Sequence, residues 1–303
     1  MRVVVAATAG VAIPTLEWLR TSSHDLVAVV TTPDSKVGRG KILTPSEVAV
    51  WATDKSLPLF KPDDEAQLME LIRNVDVVIA IAYGKILSEQ ILRIPKYGFL
   101  NLHFSLLPAY RGAAPVQRAI QNGENVTGVS IFQIDKGLDT GPLYLTKEYE
   151  IPADANSEEV LRDLALLGAQ CFESVLVNLE SGVQPTLQKN AGVSSAPKIT
   201  KEDALINWKS KGRAISDSVR AFTPSPGAWT QFKGNSVKIN KVHISSENLD
   251  LKPGVILSKD KRVFVGTIDS SVEIIRLTPS GKSEMSASEW INGARLSQGD
   301  CFE

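Results

Sequence analysis

The fold is decided by one short apolar run, Val75-Asp-Val-Val-Ile-Ala-Ile-Ala82. It shows no polar alternation beyond Asp76, which is typical of a parallel strand buried on both faces. Three similar runs lie around it, at residues 3–7, 26–32 and 99–104, and helix-like patterns at 13–19 and 63–73 separate them. This alternation predicts an α/β fold with an open, mostly parallel sheet and helices on both faces.

The same pattern continues through residue 179. Residues 115–121 are predicted to form a helix that starts at Pro115, and residues 126–134 and 143–149 two strands. Residues 157–179 have the spacing of a long amphipathic helix, with Ser157 typical of its start and Gly182 of its stop.

The chain changes character after residue 182. Residues 182–200 contain several glycines and prolines and little periodicity, which is typical of a linker. A helix through about Ala221 is predicted next. Short strands separated by turns then favour a small β-barrel or sandwich, at residues 229–232, 236–239, 254–258, 263–267 and 272–277.

The composition is that of a globular protein, with 43% hydrophobic and 22% charged residues among 303, which argues against a disordered or fibrous chain. The longest purely apolar run near a strand, Val77 to Tyr83, is far shorter than the roughly 18 residues of a transmembrane helix. The N-terminus lacks the pattern of a signal peptide, and two cysteines are typical of a reducing compartment. We therefore expect a cytoplasmic protein without a membrane partner.

Charge is unevenly distributed along the chain. Residues 1–206 hold 19 Lys and Arg against 24 Asp and Glu (net −5), whereas residues 207–303 hold 14 against 10 (net +4). A basic C-terminal third can face a polyanion such as a nucleic acid. On charge alone, a solvated surface rich in lysine is the simpler interpretation.

Polar chemistry is concentrated in the stretch Asn101-Leu-His103-Phe-Ser105-Leu-Leu-Pro108 and the loop after it. Side chains two apart on a strand share a face, so Asn101 and His103 are predicted to point together at the carboxyl end of a parallel strand. An amide can stabilise a developing oxyanion and an imidazole can move a proton, which suits acyl transfer. The competing interpretation is a histidine that simply packs at a strand end.

Two further segments contain candidate functional residues. The loop after residues 126–134 holds Asp135 and Asp139, and a carboxylate beside His103 would raise the imidazole pKa and orient the ring. We interpret Asp135 as a solvated turn acid and Asp139 as either a site residue or a turn former. In residues 32–46, glycines flank Arg39 in a basic segment without periodicity, which suits phosphate contact or a plain surface loop.

Several well-known motifs do not occur in the sequence. It has no G-x-G-x-x-G after the first strand, no P-loop, no G-x-S-x-G elbow and no cluster of metal ligands. A P-loop NTPase is therefore excluded, and a dinucleotide-dependent oxidoreductase is disfavoured.

The motifs around Asn101, Arg111 and Asp139 resemble those of the formyltransferases that use 10-formyltetrahydrofolate, most fully the members that formylate methionyl-tRNA. The quoted sequences are Asn101-x-His103-x-Ser105-Leu-Leu-Pro108, Arg111-Gly-Ala-Ala-Pro115 and Asp139-Thr-Gly141. Residues 33–46, 82–87 and 206–228 add to the resemblance, which covers most of the chain. The chain departs from the family after the first strand, where Ala7-Thr8-Ala9-Gly10-Val11 replaces a Gly-Thr-Pro type of turn.

The resemblance implies a Rossmann-like catalytic domain at residues 1–182, a linker at 183–206, and a smaller OB-like β-barrel that binds tRNA at 207–303. It implies transfer of the formyl group of 10-formyltetrahydrofolate to the α-amine of methionyl-initiator tRNA, without a metal or NAD. We also expect a monomer.

The resemblance further assigns roles to individual residues. It makes Asn101, His103 and Asp139 catalytic, with Asn101 and a protonated His103 donating hydrogen bonds to the oxyanion and Asp139 holding His103. The implied folate contacts are Ser105, Leu106, Leu107, Pro108, Tyr83 and Gly84. The implied tRNA contacts are Arg39 and Lys41.

The alternative within the family is a sugar-nucleotide N-formyltransferase, which uses the same folate donor and the same Asn, His and Asp triplet. The Gly-Arg-Gly-Lys segment at residues 38–41 favours tRNA over a sugar. A protein of another class, one that binds RNA without catalysis, would be favoured by loss of a catalytic residue, and none is lost.

Overall fold

The chain divides into two units, each built on its own β-sheet. The computed structural model describes residues 1–37, 40–247 and 249–303. The first unit comprises Met1–Gly112, Thr127–Tyr149 and Leu161–Ser195. The second comprises Ala113–Val126, Glu150–Val160 and Ala196–Glu303.

Strands and helices are interspersed along the chain as far as Glu180, and strands predominate after it. Up to Glu180 the elements are β1 (Arg2–Ala7), α1 (Ile13–Thr21), β2 (Asp25–Val30), β3 (Ser35–Val37), β4 (Ile42–Thr44), α2 (Glu47–Asp54), β5 (Leu59–Phe60), α3 (Glu65–Leu71), β6 (Val77–Ile81), α4 (Glu89–Leu92), β7 (Phe99–His103), α5 (Pro115–Gln121), β8 (Val126–Gln133), β9 (Leu143–Glu150) and α6 (Ser157–Glu180). Beyond it lie α7 (Gly212–Phe222), β10 (Trp229–Phe232), β11 (Asn235–Ile244), β12 (Ile256–Lys259), β13 (Arg262–Gly266), β14 (Ser271–Pro279), β15 (Met285–Ser286) and α8 (Ala287–Ala294).

The first unit contains a seven-stranded sheet in the order β5-β2-β1-β6-β7-β8-β9. Pairing is parallel from β5 through β7, and β8 joins β7 antiparallel. All five residues of β6 are buried, as the unbroken apolar run predicts. The predicted α/β class with a mostly parallel sheet is confirmed.

Strand β7 is packed from one face by helix α6. A side-chain carbon on Gly168 of α6 would lie 2.5 Å from Leu102 Cδ2, so the glycine lets the helix approach the strand closely. Because neighbouring residues of a strand alternate between faces, Asn101 and His103 point away from this helix. The packing of Leu102 therefore fixes the direction in which the polar residues of β7 point.

The second unit contains an antiparallel sheet in the order β10-β11-β14-β13-β12, with β15 added beside β14. Strand β11 extends beyond both of its predicted ends. Asn235 pairs with Phe232 of β10, and residues 241–244 continue the pairing with β14 after a shift of register at Asn240. A smaller, β-rich second unit is confirmed, and the strands of its sheet all follow Glu180.

The structure corrects the interpretation of residues 32–46 as a segment without regular structure. Ser35–Val37 and Ile42–Thr44 pair as an antiparallel hairpin, and α2 begins directly after Ser46. The helix start is stabilised by the Ser46 side chain, which accepts a hydrogen bond from Ala49 N at 3.0 Å. Three-residue strands carry too little alternation to be recognised from sequence.

Helix α6 begins at Ser157 as predicted, but a different side chain caps it. Its N-terminal amides at Glu158 and Glu159 donate to the Asn156 side chain, so Asn156 and not Ser157 acts as the cap. The Glu159 carboxylate in turn accepts from Asn156 N at 2.9 Å, the reciprocal contact of a capping box. Within the described parts of the chain, no helix is both long and apolar enough to cross a membrane.

Candidate active site

The site is organised around the carboxyl end of β7. Asn101 is half-buried, and His103, the last residue of the strand, is only 6% exposed. The strand pairs Asn101 with Phe132 and His103 with Ser130 of β8. The structure thus places both predicted residues on one face at the edge where open α/β sheets bind ligands.

The ring of His103 is held between two loops. Its Nε2 lies 2.9 Å from the carbonyl oxygen of Tyr110, and because a carbonyl can only accept, Nε2 carries the hydrogen. Its Nδ1 lies 3.7 Å from Oδ2 of Asp139. In the neutral ring, Nδ1 therefore has a free lone pair beside a carboxylate, which is the state of a base ready to accept a proton.

Asp139 raises the pKa of His103, as predicted for a neighbouring carboxylate, but it does not decide the direction of the overall shift. Burial lowers the imidazole pKa, and this effect outweighs Asp139 and the Tyr110 carbonyl, which both raise it. The ring is therefore neutral at pH 7 in the free protein. The protonated His103 that the resemblance implies is therefore not the state of the free protein at pH 7.

Asp139 is fixed by its backbone and by one amide. Its backbone lies in the left-handed region with φ 53°, and its Oδ2 accepts a hydrogen bond from Gly112 N at 2.7 Å. Asp135 behaves differently: its Oδ1 accepts from Gly137 N and Thr140 Oγ1 within its own turn. The geometry therefore brings Asp139, and not Asp135, to His103.

Gln188 is a site residue that sequence reasoning missed. Its Nε2 donates to the carbonyl oxygens of Asp139 and Gly141, at 2.9 and 2.8 Å, and its Oε1 accepts from Arg111 Nε at 3.2 Å. It lies in the segment predicted as a linker, where neither periodicity nor a motif marks it. Only its three-dimensional contacts reveal it.

The segment predicted to border folate, residues 105–108, is stabilised by hydrogen bonds with Ala109 and with Ser130 of β8. Ser105 is fully buried and its hydroxyl donates to Ala109 O at 2.6 Å. The buried Ser130 hydroxyl donates to Ser105 O at 2.7 Å and accepts from Leu107 N at 3.0 Å. The two half-buried members of the segment, Leu106 and Pro108, remain partly accessible to a ligand.

We expect Ser130→Ala to destabilise the protein because it leaves the buried Leu107 N–H and Ser105 carbonyl without this partner. The expected loss is about 1–3 kcal/mol in the free energy of unfolding. Urea unfolding measures it, with Ser174→Ala on the exposed side of α6 as the control, for which a change within about 0.5 kcal/mol is expected. Equal stabilities of the two variants would contradict the role of Ser130.

Tyr83 and Gly84 follow β6 at the same edge of the sheet. The Tyr83 side chain is 5% exposed and packs within the hydrophobic core, and burial raises the pKa of its phenol. Its carbonyl accepts from Thr8 Oγ1 at 3.1 Å, which ties the atypical turn after β1 to this segment. Gly84 is exposed with φ 76°, so at this position the backbone, not a side chain, is presented to solvent.

Of the two residues expected to contact tRNA, the structure describes Lys41. Lys41 is exposed and immediately precedes β4, beside the exposed side chains of Ile42 and Leu43. Arg39 lies outside the residues that the structure describes.

We expect the pKa of His103 to fall further in Asp139→Asn, because the carboxylate that raises it is removed while burial remains. Nitrogen-detected NMR titration of the free protein measures this pKa, which we expect below the ordinary 6.5 in the wild type and lower still in the variant. Asp135→Asn is the matched control from the same loop and is expected to leave it unchanged. A rise in Asp139→Asn would contradict the arrangement.

Comparisons with known proteins identify the family to which the chain belongs. A family described as formyl transferase matches residues 1–176, and one described as formyl transferase, C-terminal domain, matches residues 198–295. The chain therefore belongs to the formyl transferase family.

Individual relatives indicate which members of the family the chain is similar to. The chain is 42% identical to a methionyl-tRNA formyltransferase of Salinispora tropica, with 99% of each chain covered. It is 41% identical to another of that name from Pseudarthrobacter chlorophenolicus, with 100% of each covered. The resemblance to the methionyl-tRNA formyltransferases found in the sequence is thus confirmed.

A solved structure shares the fold. HypX from Aquifex aeolicus in complex with tetrahydrofolic acid matches 98% of this chain with a TM-score of 0.67 and 17% identity. The chain spans about half the length of HypX, since 48% of that protein is covered.

Proposed function

We propose that this protein transfers the formyl group of 10-formyltetrahydrofolate to the α-amino group of methionyl-initiator tRNA, giving N-formylmethionyl-tRNA. The observation that carries the proposal is the full-length similarity to methionyl-tRNA formyltransferases, 42% identical over 99% of each chain. The grouping of Asn101, His103 and Asp139 at the end of β7 supports it, because acyl transfer needs an oxyanion donor and a base.

The donor set fits a formyl donor. Asn101 offers an amide N–H, and His103 offers a lone pair on Nδ1 with a carboxylate 3.7 Å away. When bound, the folate supplies a formyl group attached to its N10 nitrogen. The proposed chemistry needs neither a metal nor NAD.

Each of the three residues has a distinct role in the proposed mechanism. Asn101 donates a hydrogen bond to the formyl oxygen as negative charge develops there. His103 Nδ1 accepts the proton that the attacking α-amine loses, and Asp139 stabilises the resulting imidazolium. His103 then returns the proton to the leaving nitrogen as the bond between the formyl carbon and N10 breaks.

We also propose which residues contact the two substrates. We assign folate contacts to Ser105, Leu106, Leu107 and Pro108, together with Tyr83 and Gly84 after β6. We assign tRNA contacts to Arg39 and Lys41.

The domain roles are proposed as well. Residues 1–182 form the catalytic domain, 183–206 the linker and 207–303 the tRNA-binding domain, in line with family matches at 1–176 and 198–295. We propose that the protein acts as a monomer in the cytoplasm, where translation begins.

We expect the KM for tRNA to rise with salt, because phosphate contacts release counterions. Residues 207–303 carry a net charge of +4. Two phosphate contacts alone would weaken binding about tenfold between 50 and 200 mM salt. Steady-state kinetics measure this, with the KM for folate as the internal reference. Equal salt responses of the two KM values would argue against a phosphate-binding surface.

An acceptor panel tests the proposed function. The protein is given 10-formyltetrahydrofolate and methionine-charged initiator tRNA, methionine-charged elongator tRNA, a nucleotide-linked amino sugar, or buffer. We expect rapid transfer to the initiator tRNA only. Transfer to the sugar would replace this function with the sugar-nucleotide alternative, and release of formate in buffer would indicate a hydrolase.

A further inference from the structure

The proposed site requires two loops to keep a fixed position relative to each other. One loop supplies the Tyr110 carbonyl to His103 Nε2 and the Gly112 amide to the Asp139 carboxylate. The other carries Asp139 itself, in a left-handed conformation that residues with side chains rarely adopt. A conformation of this kind persists only where its surroundings hold it.

The side chain of Gln188 joins these two loops. Its Nε2 donates to the carbonyl oxygens of Asp139 and Gly141, on both sides of Thr140. Its Oε1 accepts from Nε and Nη2 of Arg111, the residue between Tyr110 and Gly112, at 3.2 and 2.5 Å.

The orientation of the Gln188 amide follows from its partners. A guanidinium can only donate, so the amide oxygen must face Arg111, and the amide nitrogen then faces two carbonyls that can only accept. Exchanging the two amide atoms would place donors against donors and acceptors against acceptors. Both ends of the side chain are therefore committed to one arrangement.

The chain on either side of Gln188 is anchored to the same loops. Thr186 exchanges two backbone hydrogen bonds with Leu143, at 2.7 and 2.8 Å. Ser194 accepts from Arg111 N through its carbonyl and from Tyr110 N through its hydroxyl, both at 2.9 Å. Gln188 lies between these anchors, so its backbone is held while its side chain reaches across.

We propose that Gln188 is a positioning residue for formyl transfer, which sets the loop of Asp139 against the loop of Tyr110 and so aligns the carboxylate with His103. The inference rests on the proposed function. Gln188 acts through the backbone of Asp139 and through Arg111, and not through a contact of its own with the reacting groups.

Two substitutions separate its contacts. Gln188→Met keeps the length of the side chain but removes the donor and the acceptor. Gln188→Glu keeps an acceptor for Arg111 and removes the donor to the two carbonyls. Gln184→Ala is the control, because Gln184 is exposed in the same segment and its amide donates only to Gly182 O among the contacts of the described residues.

We expect both Gln188 variants to lower kcat for formyl transfer at least about tenfold, since misplacing a catalytic group by about 1 Å costs up to about 10²-fold. The KM values for folate and tRNA are expected within about threefold of wild type. We also expect the pKa of His103, measured by NMR in the free protein, to fall in both variants as the carboxylate moves away. Gln184→Ala is expected to match wild type.

The experiment tests the proposed role of Gln188 even if one variant folds poorly. If Gln188→Met does not fold, Gln188→Glu, which retains the Arg111 contact, gives the answer. An unchanged kcat, or a lowered kcat with an unchanged His103 pKa, in a folded variant would overturn the proposal. If the wild type fails to formylate methionyl-tRNA while the pKa still falls, the proposed function fails and the positioning of Asp139 stands.

Discussion

Replacing His103 by asparagine is expected to lower kcat for formyl transfer by about 10²–10⁴-fold, the usual contribution of a positioned base. The reason is that its Nδ1 combines a free lone pair with a carboxylate 3.7 Å away. Steady-state kinetics on initiator methionyl-tRNA measure the effect. His243→Asn, in an exposed position of the second unit, is the control and is expected to retain wild-type turnover.

A double variant tests whether His103 and Asp139 act together. Asp139→Asn alone is expected to cost at least about 2 kcal/mol of transition-state stabilisation, because the imidazolium loses its counter-charge. If the two residues act as a unit, the double variant is no slower than His103→Asn alone. Full additivity of the two losses would contradict the shared role.

Replacing Asn101 by alanine is expected to lower kcat by about 10²–10³-fold, the cost of removing one oxyanion donor. Asn101 lies two residues before His103 on the same face of β7, and in the proposed mechanism its amide donates to the formyl oxygen. KM values for both substrates are expected within about threefold of wild type, because the interaction forms as charge develops.

A second substitution at the same position distinguishes charge stabilisation from packing. Asn101→Asp preserves the shape but replaces the donor with an anion, so we expect it to be at least as slow as Asn101→Ala. Activity restored by the aspartate would show that Asn101 only fills space. Asn178→Ala, on the exposed side of α6, serves as the control for an asparagine without a proposed role.

The sequence predicted the central sheet because its strands are strongly apolar. The run that became β6 is buried at every position, and Phe99–His103 follows it as β7 in parallel pairing. The proximity of Asn101 and His103 follows from the two-residue repeat of a strand. The prediction that Asp139 lies close to His103 rests on the resemblance to the formyltransferases. The sequence around Asp139 is equally typical of a turn-forming residue and of a site residue.

Other features could not be predicted because they depend on contacts distant in sequence. Gln188 is separated by 49 residues from the Asp139 carbonyl that it contacts. The neutral state of His103 depends on the burial of its ring, and the sequence of a single strand does not show how deeply a side chain is buried. Helix α8 went unpredicted although Ser286 and Glu289 form a capping box, a local signal that was present in the sequence.

The most direct test of the account is single-turnover formyl transfer from 10-formyltetrahydrofolate to methionine-charged initiator tRNA, by the wild type and by His103→Asn. Binding of each substrate is measured in parallel. The account predicts rapid transfer by the wild type and a rate at least about 10²-fold lower in the variant, with both substrates still bound. No transfer by the wild type, or equal rates for the two proteins, would contradict it.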